Sequence, residues 1–198
     1  MKSCICSLLK VLLISFICGS VSYGGLFLDQ ACEASESGAG CGVEQNLWNW
    51  QEFRPAMDNV EQVDIYFESW NVPSGVTVFF QIRDGESILW STSFSADLIG
   101  EGMGWFEIDT PHIPLIPDHS YKLYLTSNLT FEQVLNGAML MWPIEDNTYS
   151  RGISSVGSNV DFNFRTWAIP EPSTVTLFTV GGLALLRKNK SPKRQRRD

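Results

Sequence analysis

An all-β fold, two antiparallel sheets packed as a sandwich, is what this sequence predicts, and three observations predict it. From Val60 to Trp167 apolar residues recur at every second position rather than every 3.6. The alternating runs are short and punctuated by Gly, Pro, Asn and Asp, the residues that turn a chain between strands. No segment carries a long amphipathic stripe of helical period.

The elements follow in chain order. "MKSCICSLLKVLLISFICGSVSYGG" places Lys2 and Lys10 ahead of the apolar stretch Val11–Ile17, then small residues at Gly19, Ser20 and Ser22. Basic, apolar and small, in that order, is a secretory signal peptide, assigned to residues 1–23. Cys18 follows Phe16 and Ile17 rather than a small residue, which argues against lipid attachment there. Removing the signal leaves two cysteines, Cys32 and Cys41, in "ACEASESGAGCG". An even pair in an exported chain, spanning a polar, glycine-rich stretch, predicts a disulfide that pins residues 24–46 as an N-terminal loop or edge region. A zinc site would need more ligands, and His112 and His119 show no ligand spacing.

The sandwich proper is assigned to residues 47–167. In "VDIYFESW", Val63, Ile65 and Phe67 alternate with Asp64, Tyr66 and Glu68; in "VTVFFQIR", Val76, Val78, Phe80 and Ile82 form the apolar parity. Asp84-Gly85 then predicts a hairpin into "SILWSTSF", where Ile88, Trp90, Thr92 and Phe94 share a face. Further strands are expected in "GWFEI", "YKLYLTS", "AMLMW" and "VDFNFRTW", with "TFEQVL" good for a helical turn or two and "TPHIPLIPDHSY" a connection. About eight strands in two sheets make a jelly-roll-like sandwich the expected architecture.

Composition bounds the function. Between Gly24 and Pro170 there are five cations, Arg54, Arg83, Lys122, Arg151 and Arg165, against twenty carboxylates, a formal −15. That balance opposes nucleic-acid binding, which needs a basic face, and makes divalent cations or neutral glycans easier partners than polyanions. No catalytic constellation is legible: Glu107 and Asp109 point to one face of one strand but read as a solvated strand face, and no G-x-S-x-G, H-E-x-x-H or phosphate-binding glycine loop occurs. No cofactor is expected beyond calcium, for which "IEDNTY" (Glu145, Asp146, Asn147) and "RDGE" (Asp84, Glu86) supply oxygen ligands without a calcium-loop order. Of seven tryptophans, Trp90 and Trp105 read as core by their strand parity, whereas Trp48, Trp50 and Trp142 are the candidates for an exposed platform that stacks on sugar rings.

After Trp167 the character changes. Pro170-Glu171-Pro172 precedes the apolar run Ser173–Leu186, 14 residues long, and a flank of seven cations from Arg187 to Arg197. A free-standing span usually needs about 18–20 residues, so this one is short for a permanent anchor. Its basic end belongs on the cytoplasmic side. Residues 168–198 resemble the PEP-CTERM sorting signal of exported bacterial proteins: a Pro-Glu-Pro motif, a short transmembrane run and an Arg-rich terminus. The resemblance implies that Pro170, Glu171 and Pro172 are recognised by an exosortase, a membrane cysteine-dependent enzyme that cleaves near the motif after export. The destination it implies is the cell envelope, cell surface or exopolysaccharide matrix, with membrane association before processing. The tail "NKSPKRQRRD" is longer than the few arginines usual in that family. Less specifically, "QEFRPAMDNVEQVDIYF", "GWFEIDTPHIPLIPDHSYKLYL" and "DFNFRTW" resemble the strand patterns of jelly-roll, carbohydrate-binding-module-like domains. Three functions stay open at this level: an adhesive or structural matrix protein without catalysis, a glycan-binding module, and a secreted glycan-active enzyme.

Overall fold

The computed structural model describes residues 25–33, 39–146 and 149–170. The signal peptide, Glu171, Pro172 and the tail beyond them lie outside the described residues. Leu26–Ile169 form one compact unit. Its strands are β1 (Phe27–Cys32), β2 (Gly40–Gly42), β3 (Asn49–Phe53), β4 (Asn59–Trp70), β5 (Thr77–Asp84), β6 (Ser87–Ser95), β7 (Gly102–Pro114), β8 (Tyr121–Ser127), β9 (Met139–Asp146), β10 (Val160–Phe162) and β11 (Phe164–Ala168). A 3₁₀ turn at Ala96–Leu98 and a five-residue helix α1 (Phe131–Leu135) complete the described elements. Two antiparallel sheets result. One runs β1-β11-β4-β9-β10, with β2 also on β9 and β7 also on β4; the other runs β3-β8-β5-β6.

The expected parity builds the core between them. Val63, Ile65 and Phe67 of β4 meet Val78, Phe80 and Ile82 of β5, Leu123 and Leu125 of β8 and Phe53 of β3 in a single cluster. Each such side chain, fully removed from water, contributes about 1.5–3 kcal/mol. The other parity of β4 is buried as well, because the strand is central: Asp64 accepts from Gln62 Nε2 and Trp167 Nε1, each at 2.7 Å. A buried carboxylate is tolerated there because both donors are buried with it or beside it.

The Asp84-Gly85 hairpin forms as expected: Asp84 pairs with Ser87 across the two residues Gly85 and Glu86, and Gly85 takes φ +55°. Helix α1 forms too, opened by a capping box in which Gln133 N–H donates to Thr130 Oγ1 and Thr130 N–H donates to Gln133 Oε1. Strand β7 extends further than its apolar core suggests. It runs through Pro111 to Pro114 because it pairs only with β4, so its outer edge needs no N–H donors. "VDFNFRTW" is two strands rather than one. At Asn163 the chain leaves β9 for β4: Asn163 N–H donates to the Pro143 carbonyl, while its own carbonyl accepts from Tyr66 N–H and from the Trp142 indole.

Residues 24–46 supply two edge strands, and their cysteines correct the expectation of a crosslink. Cys32 and Cys41 are not joined by a disulfide. Each is fixed by its own strand register instead, Cys32 opposite Phe164 on β11 and Cys41 opposite Trp142 on β9. The Cys32 thiol lies 3.8 Å from Asn163 Oδ1. Cys41 packs against the core, and burial pushes its thiol above the ordinary 9.0.

Candidate functional site

Strand alternation leaves the solvent face of the four-stranded sheet to a distinct set of side chains. In β8 Leu123 and Leu125 point inward, so Lys122, Tyr124 and Thr126 take the outer face. The register then assembles rows across the sheet. Trp50 of β3 lies opposite Tyr124, Tyr124 opposite Gln81 of β5, and Gln81 opposite Ser91 of β6. The row on one side is Glu52, Lys122 and Arg83; the row on the other is Thr126, Phe79 and Ser93.

Two local devices hold the aromatics in place. Trp48 enters from a turn closed by Leu47 N–H onto the Glu44 carbonyl, with Asn46 in the left-handed region at φ +68°. The buried Asn49 that follows donates to the Gly42 carbonyl at 2.8 Å and anchors the segment. Trp50 sits on the outer strand of the sheet, whose free edge is covered: Ser155 N–H donates to the Trp50 carbonyl and Ser155 Oγ accepts from Trp50 N–H. From beneath, Gln51 bridges to the other sheet, donating to Asp161 and accepting from Phe162 N–H.

The rings converge on Tyr124. Trp48 meets it edge-on at 6.3 Å and Trp50 lies tilted at 6.4 Å. Cations stand over all three rings, two of them closely: Lys122 Nζ lies 4.0 Å above Trp50, and the Arg83 guanidinium 4.2 Å above Tyr124 and 5.6 Å over Trp48. Trp48 remains 40% exposed. It borders a hollow of about 470 Å³ whose wall also carries Phe79, Gln45, Gln81, Thr126 and Asn128. Aromatic faces beside amide and hydroxyl groups suit a ligand that is apolar on its ring faces and hydroxylated at its rim. The one carboxylate in these rows, Glu52, is paired with Arg54 at 3.5 Å.

The structure places Trp48 and Trp50 beside Tyr124 on the four-stranded sheet and corrects the expectation that Trp142 is exposed. That side chain is fully buried: it stacks on Phe162 at 4.3 Å and donates its indole N–H to the Asn163 carbonyl at 2.9 Å. Both parities of "AMLMW" are apolar, and the inward one is Leu140 with Trp142. Trp90 packs against the core, edge-on to Phe80 at 6.2 Å, as its parity implies. Trp105 does not. It shares the outer face of β7 with Glu107 and Asp109, edge-on to Tyr66 at 5.1 Å and beneath the Arg165 guanidinium at 4.0 Å. Glu107 and Asp109 are exposed on the seven-stranded sheet, which is not the sheet that carries Trp48 and Trp50. His112 pairs with Glu61, and His119 with Asp84 at 2.9 Å.

Tyr124, Arg83, Lys122 and Phe79 were missing from the residues that the sequence singles out. Their parity was readable, since Lys122 and Tyr124 alternate with Leu123 and Leu125, but cross-strand register was not. Among the described residues no three His, Cys, Asp or Glu side chains are placed to hold a metal ion, and Asn147 of the calcium candidate lies outside them. No helix among them is long and apolar enough to cross a membrane. No protein-family model, curated protein or solved structure matches the chain.

Proposed function

We propose that this chain is an exported, non-catalytic glycan-binding protein that works at the cell surface or in the exopolysaccharide matrix. The gathering of Trp48, Trp50 and Tyr124 on one solvent face, beside a hollow walled by amides and hydroxyls, carries the reading. It favours a sugar ligand over a purely structural role, because rings needed only for stability are withdrawn from water, as Trp142 is. It also favours binding over hydrolysis: the paired carboxylates Glu107 and Asp109 stand on the other sheet and so do not flank the aromatic face.

The strand path supports a jelly-roll-like scaffold. Taking β2 to β9 in order, successive strands alternate between sheets except at the β5–β6 hairpin. They give the four-strand orders β2-β9-β4-β7 and β3-β8-β5-β6 that two interlocked Greek keys require. Delivery rests on the sequence: the signal peptide, the Pro170-Glu171-Pro172 motif, the short apolar run and the basic flank are what an exosortase-type system would read.

The test is a glycan array probed with the full chain. Binding to at least one neutral or acidic oligosaccharide, weakened roughly tenfold by Trp48→Ala through loss of about 1.5 kcal/mol of apolar ring contact, is the expected outcome. Trp50→Ala should weaken it as well. Binding unchanged in both variants would remove the aromatic face as the site.

A further inference from the structure

We infer that the sugar this face takes is acidic: a hexuronate unit, stacked on Trp48 with its carboxylate on Arg83. The inference rests on the glycan-binding reading and specifies its ligand.

Its basis is where the few cations go. Three of the five between Gly24 and Pro170 are neutralised in ion pairs: Arg54 with Glu52, Arg151 with Asp118 and Arg165 with Glu33. The other two, Arg83 and Lys122, have no carboxylate within ion-pair reach among the described residues, on a unit where carboxylates outnumber cations four to one. Both lie in neighbouring positions on adjacent strands of the aromatic face. In so acidic a protein, two uncompensated cations side by side are a local inversion of charge.

Geometry narrows the ligand. Lys122 and Arg83 sit on Trp50 and Tyr124, so a neutral pyranose stacking there would have to displace them. Trp48 is the least closely covered of the three: the Arg83 guanidinium lies over its ring at 5.6 Å, against 4.2 Å for Tyr124 and 4.0 Å from Lys122 Nζ to Trp50. A carboxylate one bond off a pyranose ring stacked on Trp48 falls within reach of that group. Gln81 Oε1 takes the Arg83 Nε–H at 2.7 Å, which orients the guanidinium and leaves its two Nη groups for a two-pronged contact with a carboxylate. The hollow supplies Gln45, Gln81 and Asn128 for the ring hydroxyls.

Whole-chain charge sets the density of acid that the site tolerates. At physiological ionic strength charges separated by more than about 8 Å are largely screened, so distant carboxylates do not cancel the two cations. Of the near ones, Glu52 opposite Lys122 is held by Arg54, and Asp84 next to Arg83 contacts His119. A polymer charged at every residue would nevertheless run from this face onto carboxylates. Isolated uronates in an otherwise neutral chain fit best.

The experiment compares a neutral-sugar trisaccharide bearing a single terminal hexuronate with its methyl ester, which has the same rings without the charge, by calorimetry on the full chain in mild non-ionic detergent with chelator present. The acid should bind roughly tenfold tighter than the ester, as charge-assisted hydrogen bonds require. That preference should shrink with rising salt. Arg83→Gln should bring the acid down to the ester, so that the ratio of the two measured on the same variant falls to about one whatever the absolute affinity of the ester. Should Arg83→Gln lose both ligands, Lys122→Gln reads the same charge from the next ring and must lower the preference several-fold. Equal binding of acid and ester overturns the acidic-sugar inference and leaves the glycan-binding reading standing. A preference seen only when the chelator is omitted overturns it too, since a metal bridge rather than Arg83 would then read the carboxylate. Binding of neither, together with no glycan retained on the array, overturns both.

Discussion

Trp48 and Trp142 carry the same side chain to opposite ends, and the difference is the indole N–H. Trp142 can be buried because Asn163 offers a carbonyl at 2.9 Å inside the core; Trp48 is left at the surface beside Arg83. Tyr149 follows the same logic. Its hydroxyl donates to Gln30 Oε1 and accepts from Arg54 N–H, and burial pushes the phenol up to about 12, so it stays a neutral bridging group. Tyr149→Phe keeps the ring against Phe164 but strands both partners, and should cost about 1–3 kcal/mol in urea unfolding with an unchanged slope. Asp29 gives a pH signature. Burial raises its carboxyl above the ordinary 3.8, against the pull of N–H bonds from Ala56 and Met57. The folded chain then holds that proton more tightly than the unfolded one, so the group's stabilising contribution is present below 3.8 and is lost as pH rises through the raised value. Asp29→Asn should therefore gain on the wild type in melting temperature between about pH 4 and pH 7. A melting-temperature difference, variant minus wild type, that stays constant or falls as pH rises across that range would contradict the assignment.

Single strands show which signals reach the sequence and which do not. The cores of β4, β5 and β8 were legible because one parity is largely apolar and the other largely polar. In β6 only Trp90 and Phe94 of the expected face pack against the core, while Ile88, beyond a register shift, is 52% exposed. The Asp84-Gly85 hairpin was legible from its two turn residues. Replacing Gly85 by Ala tests that hairpin. The site is sterically open, so the cost should be the backbone penalty at φ +55° alone, about 1–2 kcal/mol. A loss well above this in thermal unfolding would mean that the turn carries packing as well. Strands β1 and β2 were illegible for a physical reason: edge strands bury little, and β2 is three residues of which two are glycine. The prolines of β7 read as breakers, and they break nothing at an edge that needs no donors. Of the candidate site, Trp48 and Trp50 could be found as aromatics in a polar stretch. Tyr124, Arg83 and Lys122 could not, because they reach the tryptophans only through pairing between strands distant in sequence.

At the scale of the molecule, an acidic sandwich with a basic tail makes a prediction about processing. The short apolar run and its seven cations should arrest export with Pro170-Glu171-Pro172 at the outer boundary of the membrane, within reach of a membrane-embedded protease. Intact-mass measurement of the surface fraction should then find a form lacking Arg187–Asp198, and Glu171→Ala should accumulate the uncut chain. Surface protein that retains its arginines would identify an ordinary anchor. The order of strands adds a timing constraint. β11 is an inner strand, flanked by β1 and β4, yet it comes after every other described strand. A polypeptide emerging N-terminus first, from a ribosome or a translocation pore, has its opening strand waiting without a neighbour while more than a hundred residues follow. Closing so distant a pair is slow compared with local hairpins. The β5–β6 hairpin can zip early, but the larger sheet has a gap until Phe164–Ala168 arrive. The pairings of β4 with β7 and β9 and the whole four-stranded sheet need nothing beyond Asp146, so what waits for the last described strand is β1 and the open side of β4. Any fragment released short of that strand is left open, an easy substrate for the proteases that clear incomplete chains.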